Sequence, residues 1–222
     1  VDVSPVRVSL SDRRRSEILL VRNNGPVKAR FQVSYHAWQQ TVDGKMKLSD
    51  TEDLVVYPTL LEIEPGKERR IKVSAVVAAG AVERSYRVFV EELPSGLPRP
   101  GEVRVVMRFG IPVFLQPPSP SPRPSMALRL ERGRVLVTVT NLGSSYFVAK
   151  SVRVVGRAHD GSVVLSHLLP GWYVLAQGLR RYDVPLTWAS CTALASLSGR
   201  VEAEGGAAAE AERRVEAKDC GP

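Results

Sequence analysis

The side chains able to do bond chemistry are few in this chain and poorly spaced for it. His36, His159 and His167 stand apart from one another. There is no G-x-S-x-G elbow, no H-E-x-x-H, no phosphate loop and no dinucleotide fingerprint. Glu91 and Glu92 are adjacent, but neighbours on a strand point to opposite faces and cannot share a proton or flank one bond. A hydrolase needs a nucleophile, a base and an orienting group, and no such set is offered. The chain therefore reads as a non-enzyme with no catalytic residue and no cofactor. Cys191 and Cys220 are the two cysteines. Paired, they would close a loop of about 30 residues, stabilising by ~3–4 kcal/mol in loop-entropy terms and implying an oxidising compartment. Unpaired, they are two free thiols. Neither His159 nor His167 lies at zinc-ligand spacing from them, so no metal is expected.

Recognition chemistry is better represented. In "YRVFVEELPSGLPRPGEVRVVMRFGIPVF", residues 86–114, Val103, Val105, Met107, Phe109 and Ile111 occupy every second position after a loop rich in proline and glycine. Period-two alternation puts all five on one face of a sheet. Either that face fills the chain's own core or it is offered to something else. The residues alone are compatible with an ordinary half-buried edge strand.

The elements around that strand read as all-β. Valine and arginine are abundant, apolar runs are short, and Gly and Pro recur throughout. The sharpest break is "QPPSPSPRPS" at 116–125, a stiff, extended connection. It divides the chain into a first domain, 1–116, a linker, 117–125, and a second domain, 126–222. Candidate strands before it are 3–10, 17–23, 28–38, 54–57, 69–76, 85–93 and 102–115, with turns at "NNGP" 23–26, "VDGK" 42–45 and "EPGK" 64–67. Seven strands at this spacing is the count of an immunoglobulin-like sandwich. After the linker the pattern resumes at 126–131, 134–140, 148–156, 162–168, 182–187, 193–203 and 211–218, with "HDGS" at 159–162 as a hairpin turn. The Ala/Glu-rich stretch 205–219 lacks a capping start and ends in alternation, so it reads as strand. Trp38, Trp172 and Trp188 lie in different segments and Tyr86 and Phe89 alternate around Arg87; core packing explains most of these aromatics. The halves show no repeat strong enough to call them duplicates.

The formal net charge is +8, from 31 basic and 23 acidic residues. Apart from "RRR" at 13–15, "ERR" at 68–70 and "LRR" at 179–181 the arginines are scattered, without aromatic-plus-basic signatures, so no nucleic-acid partner is expected. No apolar run approaches the roughly 18–20 residues that span a bilayer. The start without methionine or an apolar leader suits a processed, exported protein and a trimmed chain alike.

Four stretches in order carry a family likeness: "VSPVRVSLS" at 3–11, "LVVYPTLLEIEPGKERRIKV" at 54–73, "ERSYRVFVEELP" at 83–94 and "VRVVMRFGIPVFLQP" at 103–117. With them the chain resembles the periplasmic chaperones of the chaperone–usher pathway, which fold and cap fimbrial subunits. The second domain is similar only through "VLVTVTNLGSSYFVAKSVRV" at 135–154 and the late cysteines. "PVRVSLS", "YRVFVEELP" and "GIPVF" look most like the archaic class, which assembles simple pili and spore-coat-like fibres. The resemblance implies two immunoglobulin-like sandwiches in an L-shaped arrangement with a cleft between them, a Cys191–Cys220 disulfide, a periplasmic location, and two partners. One is a fimbrial or spore-coat-like subunit with an incomplete immunoglobulin fold; the other is an outer-membrane usher.

It also implies site residues. A subunit lacking its last strand has an open groove and an unpaired edge that would aggregate. In the family the chaperone's seventh strand fills that groove, backbone pairing giving affinity and alternate side chains entering the vacant core positions. Val103, Val105 and Met107 match the donor positions, with Phe109 a further one toward the cleft. Register is held by anchoring the subunit's terminal carboxylate on basic residues. Arg7 matches the first anchor. Better-known classes have a lysine where this chain has Pro112, so the second anchor is assigned to Arg87, with Arg108 as the alternative. Glu83 matches a position of inter-domain ionic contact whose usual basic partner is Gln116 here. The competing function is a structural or adhesive immunoglobulin-like surface fibre protein.

Overall fold

The protein, seen in a computed structural model, is described over residues 1–94, 105–131 and 133–220. It divides into two compact units, one of Val1–Gln39 with Leu48–Pro118, the other of Gln40–Lys47 with Ser119–Pro222. The strands leading into the first unit and through it are β1 (Asp2–Ser4), β2 (Val8–Leu10), β3 (Ser16–Arg22), β4 (Ala29–Gln40), β5 (Met46–Ser49), β6 (Leu54–Tyr57), β7 (Leu60–Ile63), β8 (Glu68–Ala75), β9 (Arg84–Leu93) and β10 (Arg108–Leu115). They form two sheets, one ordered β1-β3-β8-β6 and the other β2-β10-β9-β4-β5 with β7 on β4. This is an immunoglobulin-like sandwich.

Alternation explains the core. Leu19 and Val21 of β3, Ile71 and Val73 of β8, Phe31 and Val33 of β4, Tyr86, Val88 and Val90 of β9, and Ile111, Val113 and Leu115 of β10 all point between the sheets and are buried. Burial raises the Tyr86 hydroxyl above the ordinary phenol range, and its hydrogen bond to Asp53 Oδ2 at 2.7 Å adds to this. The sequence reading of 3–10 as one strand is corrected. Pro5 supplies no N–H to a ladder, and around it β1 pairs antiparallel with β3 while β2 runs parallel to β10 in the opposite sheet. The strands β5 and β7 were absent from that reading; β5 is exposed throughout, and both are four residues long.

The second unit has β11 (Pro124–Glu131), β12 (Arg134–Asn141), β13 (Phe147–Arg157), β14 (Val163–Pro170), β15 (Tyr173–Val174), β16 (Leu179–Pro185), helix α1 (Trp188–Ala193), β17 (Ser196–Ala203) and β18 (Ala208–Arg214). The sheets are β11-β12-β16 and β14-β13-β17-β18 with β15 on β13. The strand expected at 193–203 starts later because Thr187 caps α1, its side chain accepting from the Ser190 N–H. The strand expected at 211–218 ends at Arg214. Beyond it Asp219 accepts from the Glu216 N–H in a tight turn that carries Cys220 to Cys191, with which it forms a disulfide across α1. Trp38, Tyr86 and Phe89 are buried, whereas Trp172 and Trp188 are exposed. Trp188 opens α1, whose sole buried residue is Cys191, and Trp172 stands edge-on to Tyr173.

Both units contain the same buried asparagine. Asn23 Oδ1 accepts from the Gly25 N–H at 2.9 Å, and its Nδ2 donates to the Val27 and Ile63 carbonyls at 2.7 and 2.9 Å. Asn141 Oδ1 accepts from the Gly143 N–H at 2.9 Å, and its Nδ2 donates to the Ser145 and Val174 carbonyls at 2.8 and 3.1 Å. Each closes a turn and ties it to a distant strand, so no buried amide atom goes unmet.

Candidate functional site

The stripe noticed in the sequence begins inside the first core. Leu115, Val113 and Ile111 are buried in it, and Phe109 is half-buried against it. Continuing outward, Met107 is 40% exposed, Val106 48% and Val105 76%. One apolar face therefore leaves the core and runs out along the chain. Val103 and the rest of 102–104 lie outside the described residues. Over 105–107 the expected strand is corrected: among the described residues β10 begins at Arg108, opposite Glu91. The Glu92 N–H still donates to the Met107 carbonyl at 2.8 Å. Two steps further the same register would set Val105 against Pro94, which has no N–H to give.

The edges of β10 differ along its length. One edge pairs with β9 from Arg108 to Leu115. The other pairs with β2 only at Val113–Leu115, opposite Val8–Leu10. Among the described residues no strand covers that second edge from Arg108 to Pro112. Backbone groups and an apolar face are thus presented by one segment.

The outer face of the same sheet holds the arginines. Arg87 of β9 lies between Pro112 of β10 and His36 of β4. Its neighbours Tyr86 and Val88 point into the core, so Arg87 points the other way, yet it is only 5% exposed. Its Nη1 donates to the Gly110 carbonyl at 3.1 Å, and its Cζ sits 3.9 Å from the centroid of the Trp38 ring. Arg7 immediately precedes β2. Extending the Val8–Val113 register back by one residue places it level with Pro112, on the face opposite buried Val8. That continuation would set Arg7 and Arg87 on either side of Pro112, two strand spacings or about 10 Å apart. Arg108 is exposed, ion-paired through Nε to Glu91 at 3.2 Å and stacked 4.2 Å over Phe89. Arg87 thus contacts the Gly110 carbonyl and Trp38, Arg108 contacts Glu91 and Phe89, and Arg7 stands one residue before β2. Glu83 is buried, while Gln116 continues the edge of β10, its N–H donating to the Leu10 carbonyl at 2.8 Å.

Trp38 went unnoticed as part of this site. The signal was its place in β4, two residues beyond His36 and so on the same face as Arg87's neighbour. Among the described residues no group of three or more histidine, cysteine or carboxylate side chains is arranged to hold a metal ion.

Two immunoglobulin-like sandwiches, the first sending an apolar strand face out of its own core beside a pair of arginines, have the architecture of a two-domain assembly chaperone. The model of the pili and flagellar-assembly chaperones, the PapD N-terminal domain, matches residues 1–121, and the chain belongs to this family. No curated protein sequence matches it. Solved structures similar across nearly the whole chain include two chaperone–subunit complexes and one chaperone alone. The chaperone–tip adhesion subunit complex CsuC–CsuE of archaic Csu pili from Acinetobacter baumannii has TM-score 0.67 and 17% identity, covering 95% of this chain and 96% of that one. The SafA pilin–SafB chaperone complex of Salmonella enterica has TM-score 0.60 and 13% identity, covering 96% and 95%. The CupB2 chaperone of Pseudomonas aeruginosa has TM-score 0.54 and 16% identity, covering 96% and 100%.

Proposed function

We propose that this chain is a periplasmic assembly chaperone that folds, stabilises and caps a fimbrial or spore-coat-like subunit by lending it a strand, then delivers it to an outer-membrane usher. The observation that carries this reading is the apolar face that runs from buried Ile111 through half-buried Phe109 to exposed Met107 and Val105. Two features make the segment fit to complete a foreign sandwich: side chains at every second position and an edge open to pairing. Burying Val103, Val105 and Met107 in a client would contribute on the order of 5–8 kcal/mol before ordering costs. That is enough to cap a client and small enough to exchange for a better strand.

Arg7 and Arg87 are the proposed anchors for the client's terminal carboxylate. A guanidinium can hold both carboxylate oxygens through its planar fork. Pro112 between them has no charge of its own, so two arginines flanking one small, neutral position replace a lysine at that position. The carboxylate fixes the register of the client strand, which matters because a slip by one residue would turn every inserted side chain to the wrong face.

Charge reversal at Arg7 tests the assignment. Arg7 lies outside the first core cluster, so Arg7→Glu folds normally by melting temperature, and co-expressed client is no longer recovered in a one-to-one complex. Wild-type recovery with folded Arg7→Glu removes the anchor. A protein that stays in the polymer instead of leaving its client would be a fibre component.

A further inference from the structure

Arg87 is held by residues of the two strands that flank β9, Trp38 of β4 and Gly110 of β10. Ser85 of β9 is small. Phe114 of β10 lies opposite it by register, Trp38 of β4 follows Ala37, which lies opposite Tyr86, and the two rings have centroids 6.1 Å apart. Both rings are fully or nearly fully buried. They form an aromatic seat one row from Arg87, with the guanidinium carbon 3.9 Å from the Trp38 centroid. The Gly110 carbonyl takes a hydrogen bond from the same guanidinium at 3.1 Å. Gly110 lies between Phe109 and Ile111, in the strand whose outward continuation is the apolar stripe. Its lack of a side chain is used: a Cβ there would stand 3.1 Å from the Phe89 ring.

An arginine on a strand normally has several rotamers, and a bidentate grip on a carboxylate requires one of them. Stacking on an aromatic face removes this freedom while leaving the guanidinium its charge. The cost of ordering the fork is then met in the free protein, which strengthens the grip when a client arrives. We infer that Trp38, backed by Phe114, is a positioning residue that presets the Arg87 guanidinium for the client carboxylate and, through the Gly110 carbonyl, fixes it relative to the lent strand. This rests on the proposed anchoring of a terminal carboxylate.

The test uses the full chain and two fluorophore-tagged octapeptide probes of alternating threonine and valine, one ending in a free carboxylate and one in an amide. The readout is the ratio of their affinities by fluorescence anisotropy, because a packing defect alone would weaken both probes and leave the ratio unchanged. Wild type prefers the free acid. Trp38→Leu lowers the preference about tenfold, Trp38→Phe restores part of it, and Phe114→Leu lowers it less than Trp38→Leu. Melting curves identify any variant that fails to fold, and Trp38→Phe with Phe114→Leu then carries the test. An undiminished ratio in the folded variants overturns the role of the aromatic seat and leaves the anchor standing. Absence of any preference in wild type overturns the anchor reading itself.

Discussion

Met107 and Ile111 lie on the same face of the same segment four residues apart, and the account requires them to fail in opposite ways. Ile111 is buried in the first core, so Ile111→Ala removes most of a packed side chain and should destabilise the free protein by about 2–4 kcal/mol. Met107 is 40% exposed, and its backbone carbonyl accepts from the Glu92 N–H. That contact does not depend on the side chain. Met107→Asp should therefore leave the stability of the free protein within about 0.5 kcal/mol of wild type. In a client groove the same change forfeits about 1.5–3 kcal/mol of burial. It also places an unpaired carboxylate in an apolar slot, at a cost of at least 2–3 kcal/mol more. A loss of about 4–6 kcal/mol is more than a thousandfold in affinity. Urea unfolding of each purified variant gives the first quantity, and recovery of co-expressed client gives the second. If Met107→Asp unfolds as readily as Ile111→Ala, the stripe belongs to the protein's own core. If it captures client normally, the stripe is not what the client receives.

Asn141→Ala should lower the stability of the second unit by about 2–4 kcal/mol, since it leaves the Gly143 N–H and the Ser145 and Val174 carbonyls without their buried partner; urea unfolding measures it. Asn23→Ala should do the same in the first unit. Replacing both cysteines by serine opens a link of sequence separation 29 and should cost ~3–4 kcal/mol by thermal or urea unfolding, whereas the Arg7→Glu variant should unfold like wild type.

Much of this was readable before any coordinates. Where one face is buried and the other wet, period-two alternation is strong, and the strands carrying Leu19, Phe31, Ile71, Val88 and Val113 are legible for that reason. The turns at Gly44, Gly66 and Gly161 are legible because each glycine takes the positive φ that those bends require. Strand β5 is exposed along its whole length and so leaves no pattern. Helix α1 is six residues long, capped by Thr187 inside a segment that otherwise reads as irregular. The switch of β1 and β2 between sheets depends on partners distant in sequence, although Pro5 marked the place.

The site was legible unevenly. The apolar face showed itself because alternation continues from Ile111 to Val105 regardless of whether anything covers it. The place of Arg87 between Pro112 and His36 needed the register of three strands, which no local pattern encodes. The same is true of Trp38, whose contact with Arg87 joins β4 to β9 and whose contact with Phe114 crosses from β4 to β10. The twin asparagines were hidden for a different cause. "NNG" and "NLG" share only two residues, and their equivalence lies in the carbonyls that each side chain reaches.

Backbone hydrogen exchange across Val105–Pro112, compared between the free protein and its complex with client, addresses the lent strand itself. The free protein should exchange quickly at Val105, Val106 and Met107, and capture should protect this segment while leaving the remaining strands of the first unit unchanged. A tightly captured client with these amides still exchanging at the free rate would contradict the account.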